Sequence, residues 1–135
     1  MTVFEPFHQQ QYLNLETFRI SGIGVKTPVW FVQEGETLFV RTVANSGKVK
    51  RIRHNAHVNI APCKADGALI GEWVPALACE LKDEATDRKV NRLLDKKYGL
   101  VKKIFGLVSA LQGRKDTILE IKPVNLLSIV VDTPR

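Results

Sequence analysis

Three features of this 135-residue chain predict a mainly β fold with appended helices. They are short apolar runs of period two, tight glycine-bearing turns between successive runs, and stretches where the period lengthens to that of a helix. The order βββ-α-ββ-αα-ββ with short hairpins points to an antiparallel sheet or small barrel, not to a doubly wound α/β fold. Residues 16–20 read as a first short strand, stopped by the turn Gly22-Ile23-Gly24. Over 24–33, Val25, Thr27, Val29 and Phe31 alternate with Lys26, Pro28, Trp30 and Val32. Pro28 has no N–H to give a ladder, which assigns this strand to a sheet edge or a bulge. Glu34-Gly35-Glu36 then turns the chain into 37–42, and the two runs are expected to pair as an antiparallel hairpin.

Past Asn45-Ser46-Gly47 the period changes. Val49, Ile52 and Ala56 fall within about sixty degrees of a helical wheel, so 48–56 is expected to be a short helix with Ser46 as N-cap. Lys48 and Arg51 flank that apolar stripe, whereas Lys50 and His54 point the other way. Residues 57–65 read as a strand with Val58 and Ile60 on one face, followed by an Asp66-Gly67 turn and a long strand over 69–81 bent at Pro75. A helix is expected over 83–97, with Val90, Leu93, Leu94 and Lys97 on one face, broken by Tyr98-Gly99. A second helix over 100–111 (Val101, Ile104, Phe105, Val108) and strands over 116–122 and 126–131 complete the chain.

With 44% hydrophobic and 25% charged residues, one globular domain over 1–135 is expected, and disorder, collagen and coiled coil are excluded. No apolar run approaches the ~20 residues of a membrane span. The opening MTVFEPFHQQ lacks the cationic and apolar parts of a secretory signal, so the expected location is cytoplasmic, with no membrane partner. Twenty Lys and Arg against 14 Asp and Glu leave a net charge of +6, which favours an anionic partner: nucleic acid, a phosphate-bearing cofactor or an acidic surface. Cys63 and Cys79 are expected to be reduced, packed thiols. His8, His54 and His57 share no zinc-ligand spacing with them, so no metal is expected.

Three segments could carry chemistry. Thr27, Pro28 and Trp30 sit on an irregular strand whose free backbone groups could hydrogen-bond the edge of a ring; the alternative is that Pro28 only guards a sheet edge and Trp30 is core. Residues 41–51 (RTVANSGKVKR) join a strand end, a Gly-bearing loop and a helix N-terminus rich in cations. Unpaired N–H groups, the Ser46 and Thr42 hydroxyls and the Lys48 and Arg51 charges all suit a phosphate. A solvated charge run explains the same cations. Nucleic acid is the weaker partner, because no aromatic residue falls between Lys48 and Asp66. The third segment, Ala61-Pro62-Cys63, precedes Gly71–Val74 (GEWV) on the expected next strand; Cys63 lacks a nucleophile signature. Any enzymatic chemistry would then reside in a cofactor.

Read together, TFRISGIGVKTPVWFV, ETLFVRTVANSGKVKRIRHNAHVNIAPC, GEWVPALA and LLDKKYG resemble the flavin-binding split-barrel superfamily related to pyridoxamine 5′-phosphate oxidase. Within it the chain most resembles the branch that uses the deazaflavin coenzyme F420, over residues 17–123. The resemblance implies a six-stranded antiparallel split barrel, a homodimer with two sites at the subunit interface, and an oxidoreductase. Hydride would pass between F420, or alternatively FMN, and a conjugated small-molecule substrate. It places the phosphate on Ser46, Lys48 and Arg51, and the ring against Thr27, Pro28, Val29 and Trp30 and the strand end Arg41-Thr42. The backbone of Ala61, Pro62 and Cys63 would border the ring, and Trp73 would come from the second subunit. Lys50 and Arg53 would be outer partners for the glutamyl tail of F420. Gly47 stands where pyridoxamine phosphate oxidases carry a second cation, which argues against that substrate. Non-catalytic flavin, haem or biliverdin binding is the other class the resemblance leaves open, and a haem would look to His57.

Overall fold

The computed structural model describes residues 3–99 and 115–124. Seven strands, β1 (Tyr12–Phe18), β2 (Gly24–Trp30), β3 (Val32–Glu34), β4 (Thr37–Val43), β5 (His57–Cys63), β6 (Val74–Leu81) and β7 (Asp116–Pro123), accompany two helices, α1 (Gly47–His54) and α2 (Glu84–Tyr98). All strand pairs are antiparallel, in one sheet of order β2-β1-β5-β6-β7-β4-β3. β2 and β3 lie at opposite ends of that order, yet only Phe31 separates them in the chain. The sheet therefore curls until its two edges meet at Phe31. Counted as one bent strand, β2–β3 makes this the six-stranded split barrel.

The hairpin expected between 24–33 and 37–42 is correct only at its tip, where Val32 pairs with Phe39 and Glu34 with Thr37. The longer part of that run pairs with β1, from Phe18↔Gly24 to Tyr12↔Trp30, and β4 instead takes β7 as its main partner. Phe31 changes the partner because its side chain is fully buried in the core, pinning the chain at the point where the two sheet edges approach. Pro28 does lie on the sheet's edge strand.

Leu13, Leu15, Leu38, Val40, Ile60, Leu119 and Ile121 fill the barrel. Val49 and Ile52 of α1, and Phe4 and Phe7 of a 3-10 turn (Glu5–Phe7), pack into the same core. As in other small barrels the interior holds side chains, not a ligand. A smaller cluster on the outside joins Val90 and Leu94 of α2 to Val32, Phe39 and Ile118.

Several boundaries move. β1 begins at Tyr12, because the Leu13/Leu15 alternation continues the strand toward the N-terminus, and it ends at Phe18; Ile20 is 91% exposed on the hairpin tip. α1 stops at His54, and Ala56, expected on its apolar stripe, is exposed beyond the extended C-cap Asn55. The expected strand over 69–81 is regular only from Val74; before that, a single bridge joins Leu69 to Cys63. Pro75 pairs with Asn59 one residue past β7's last partner, so its missing N–H falls where β6 has one neighbour. Cys63 is buried, but Cys79 alternates outward on β6 and is exposed, beside Glu120. The helix expected over 100–111 and the strand expected over 126–131 lie outside the described residues. Among the described residues no helix is long and apolar enough to cross a membrane.

Candidate functional site

α1 begins at a strand end, and its N-cap does not cap itself. Ser46 is extended (φ −70°, ψ 159°), makes no side-chain capping bond, and its Oγ is buried without a partner among the described residues. Lys48 is half-buried. Desolvation first, then the neighbouring Arg51 charge, lower its pKa below the usual lysine value. Arg51 donates from Nε to Thr17 Oγ1 at 2.6 Å, and its guanidinium folds over Gly47, where a Cβ would lie 2.8 Å from Nη1. Thr17 is itself buried on β1, so the barrel wall aims this arginine back at the start of its own helix.

The result is an orphan hydroxyl, helix-terminal N–H groups, an ammonium and a guanidinium within about a turn and a half. Neither Lys48 nor Arg51 has an ion-pair partner among the described residues. Two like charges held together and partly desolvated are unfavourable until an anion joins them. A phosphate accepts from every one of these donors.

The outward cations divide. Lys50 and His54, with Phe18, Arg19, Ile20 and Ser21, line a depression whose far wall is Arg51. Arg53 is not among them. It forms a fork with Glu80 at 2.9 and 3.1 Å, which takes it out of the role of outer partner.

β1 lies between the two segments expected to face a ring. Across β2, β1 and β5 the register aligns Pro28–Asn14–Ala61, Val29–Leu13–Pro62 and Trp30–Tyr12–Cys63. Val29 packs on the core, and Trp30 stacks on Tyr98 with centroids 4.3 Å apart and planes at 9°. Pro62 O accepts from Ile70 N at 2.8 Å, so this carbonyl is already engaged. Asn14, 6% exposed, donates from Nδ2 to Gly67 O at 3.1 Å, while its Oδ1 has no partner. Three residues from Thr17 on β1, it points to the opposite face of the strand, away from the Arg51 bond.

Arg41 is not brought to Lys48 and Arg51. Its strand face carries Phe39 toward α2, where its guanidinium pairs with Asp87 at 2.9 Å. Thr42 is half-buried opposite Thr117. Trp73 is half-buried within its own chain, with the Lys26 ammonium 5.3 Å from its ring centroid. Sequence reasoning missed Thr17 as the residue that holds Arg51. Only the fold-back of Arg51 onto β1 reveals it, and no motif does.

Among the described residues nothing resembles an activated nucleophile. Burial, then Asp66, raises the Cys63 thiol pKa. His57 is exposed at the first position of β5. Among the described residues no cluster of three or more His, Cys, Asp or Glu side chains could hold a metal.

No family model matches the chain, and no curated protein does. Solved structures match over almost its whole length. The haem storage protein HutZ from Vibrio cholerae is 18% identical with a TM-score of 0.69, covering 93% of this chain and 92% of its own. A candidate pyridoxamine 5′-phosphate oxidase from Listeria innocua is 17% identical at a TM-score of 0.64, covering 91% of each chain. An F420-H2-dependent reductase is 16% identical at 0.59, covering 83% of this chain and 94% of its own. The chain thus has the split-barrel fold of pyridoxamine 5′-phosphate oxidase-like proteins.

Proposed function

We propose that this chain is an oxidoreductase that holds a phosphate-bearing flavin-type cofactor on the outside of its barrel, F420 ahead of FMN. What carries the proposal is the set Ser46, Lys48 and Arg51: a buried hydroxyl without a partner and two neighbouring cations, one half-buried, with no acidic partner among the described residues. When bound, such a cofactor supplies hydride transfer to or from a conjugated small molecule. The chain's own part is to neutralise the phosphate, to hold Arg51 through Thr17, and to present the free edge of β2 to the donors and acceptors of a ring. The Arg19–Lys50–His54 depression continues from Arg51 and suits further anionic groups, such as the glutamyl carboxylates of F420. That favours F420 over FMN.

A filled barrel leaves the ring on an outer face, so a second copy of the chain completes the site. Sedimentation at micromolar concentration is expected to give a dimer; a monomer that binds the cofactor at full affinity counts against this. The decisive titration sets F420, FMN and haem side by side. Lys48→Ala should weaken F420 and FMN alike by roughly the 1.5–3 kcal/mol of a charge-assisted hydrogen bond. Haem that binds tightly with a Soret band, and is indifferent to Lys48→Ala, replaces the proposal with haem binding, the activity of HutZ.

A further inference from the structure

The Lys-Tyr-Gly end of α2 has no part in binding the phosphate, yet it touches the strand on which the ring is placed. At Phe31 the chain leaves the β1 ladder and has not yet joined that of β4, so its buried N–H and C=O find no strand partner. Leaving both unpaired is strongly unfavourable. α2 supplies what is missing: Phe31 N donates to Tyr98 Oη at 3.1 Å, and Lys97 Nζ donates to Phe31 O at 2.8 Å. Tyr98 Oη in turn donates to Gln11 O at 2.6 Å, tying in the residue just before β1. The Tyr98 ring stacks on Trp30, the last residue of β2. Gly99, at φ 57°, ends the helix at this point and so leaves Tyr98 in its last turn.

We propose that Tyr98, assisted by Lys97, is a positioning residue for the ligand's ring. It acts through Trp30 and Phe31 by fixing the end of the edge strand and the plane of the indole beside the Cys63 end of β5. The inference rests on the preceding proposal that the ring lies against Thr27–Trp30. It adds that ring placement is governed from α2, separately from phosphate capture at α1. Tyr98 touches neither end of the phosphate set; Thr17, which holds Arg51, is five residues along β1 from Tyr12, the register partner of Trp30.

The test uses the unaltered chain as parent. Tyr98→Leu removes stack and hydroxyl; Tyr98→Phe keeps the stack and removes only the hydroxyl. Inorganic phosphate, measured by competition, should bind all three proteins equally. F420 and FMN affinity should fall about tenfold in Tyr98→Phe, the worth of one buried hydrogen-bond set, and further in Tyr98→Leu. The absorbance of the bound ring should shift toward that of free cofactor in both variants, more in Tyr98→Leu. Should Tyr98→Leu fail to fold, Tyr98→Phe decides through the same bound-ring spectrum. Parent-like affinity and spectrum in the folded variants overturn the positioning role and leave the proposed function standing. A parent that binds phosphate but neither ring overturns both.

Discussion

Gly47 and Arg51 show how a site can depend on an absent side chain. Gly47 leaves room for the guanidinium that crosses it, and the opposing atom is the far end of a flexible arginine. Gly47→Ala is therefore expected to keep or slightly raise the thermal midpoint, since alanine is the better helix former by up to ~1 kcal/mol. Cofactor affinity should fall in the same variant as the guanidinium is pushed aside. A loss of stability with unchanged affinity contradicts this assignment. Lys48 gives a second check. Its pKa is already lowered in the free protein, and the protonated form is the one that binds an anion. Affinity should begin to fall at a lower pH than for an ordinary lysine, with net proton uptake on binding in that alkaline range. Titrations across a pH series read this directly, and a flat series counts against Lys48 as a phosphate ligand.

At the scale of elements, α2 does two jobs from its two ends. Its N-cap Asp83 accepts from Thr86 Oγ1 and from Thr86 N, and those bonds hold the carboxyl below its usual value. The capping contribution is present above the ordinary carboxylate pKa and disappears as pH falls through the lowered one, so Asp83→Ala should reduce the midpoint at neutral pH and matter least in strong acid. At the other end, the Lys97 ammonium lies 3.6 Å from the Phe31 ring centroid, and desolvation alone pulls its pKa down to about 8. The unfolded chain, near 10.5, then binds more protons than the folded one between about 8 and 10.5. Stability should therefore rise with pH across that window in the parent, relative to Lys97→Met, and the two should run parallel below it. Thermal melts in matched buffers measure the difference. The Lys-Tyr-Gly motif was visible in the sequence, but its target was not: Phe31 lies 66 residues from Lys97 and 67 from Tyr98.

For the whole molecule, the filled interior decides where ligands go. With Leu13, Leu15, Ile60 and Leu119 occupying the barrel, any cofactor is confined to the outer face and rim. Ligand that binds only the folded chain should stabilise it by mass action, by ~2.7 kcal/mol at a hundred times Kd, and raise the midpoint accordingly. F420 should do so at lower concentration than FMN. Leu69 and Ile70 are exposed beside Cys63 and Pro62, which makes this face a candidate for the proposed dimer interface. Introducing Glu at both positions is expected to shift sedimentation toward monomer and to weaken ring binding with it; a variant that stays dimeric removes this face from the interface.

What the sequence by itself determined is local: period two for the strands, period 3.6 for α1 and α2, the edge placement that Pro28 demands, and the sorting of Lys48 and Arg51 from Lys50 and His54 around α1. Each follows from side-chain spacing along one element, which needs no knowledge of partners. Only the tertiary structure decided that the 24–33 run divides between β1 and β4, that Arg41 turns to Asp87 and Arg53 to Glu80, and that Thr17 aims Arg51. The physical reason is that strand pairing and ion pairing join residues far apart in sequence. Which of several compatible partners is taken depends on how the sheet curls around its core, a property of all the strands together.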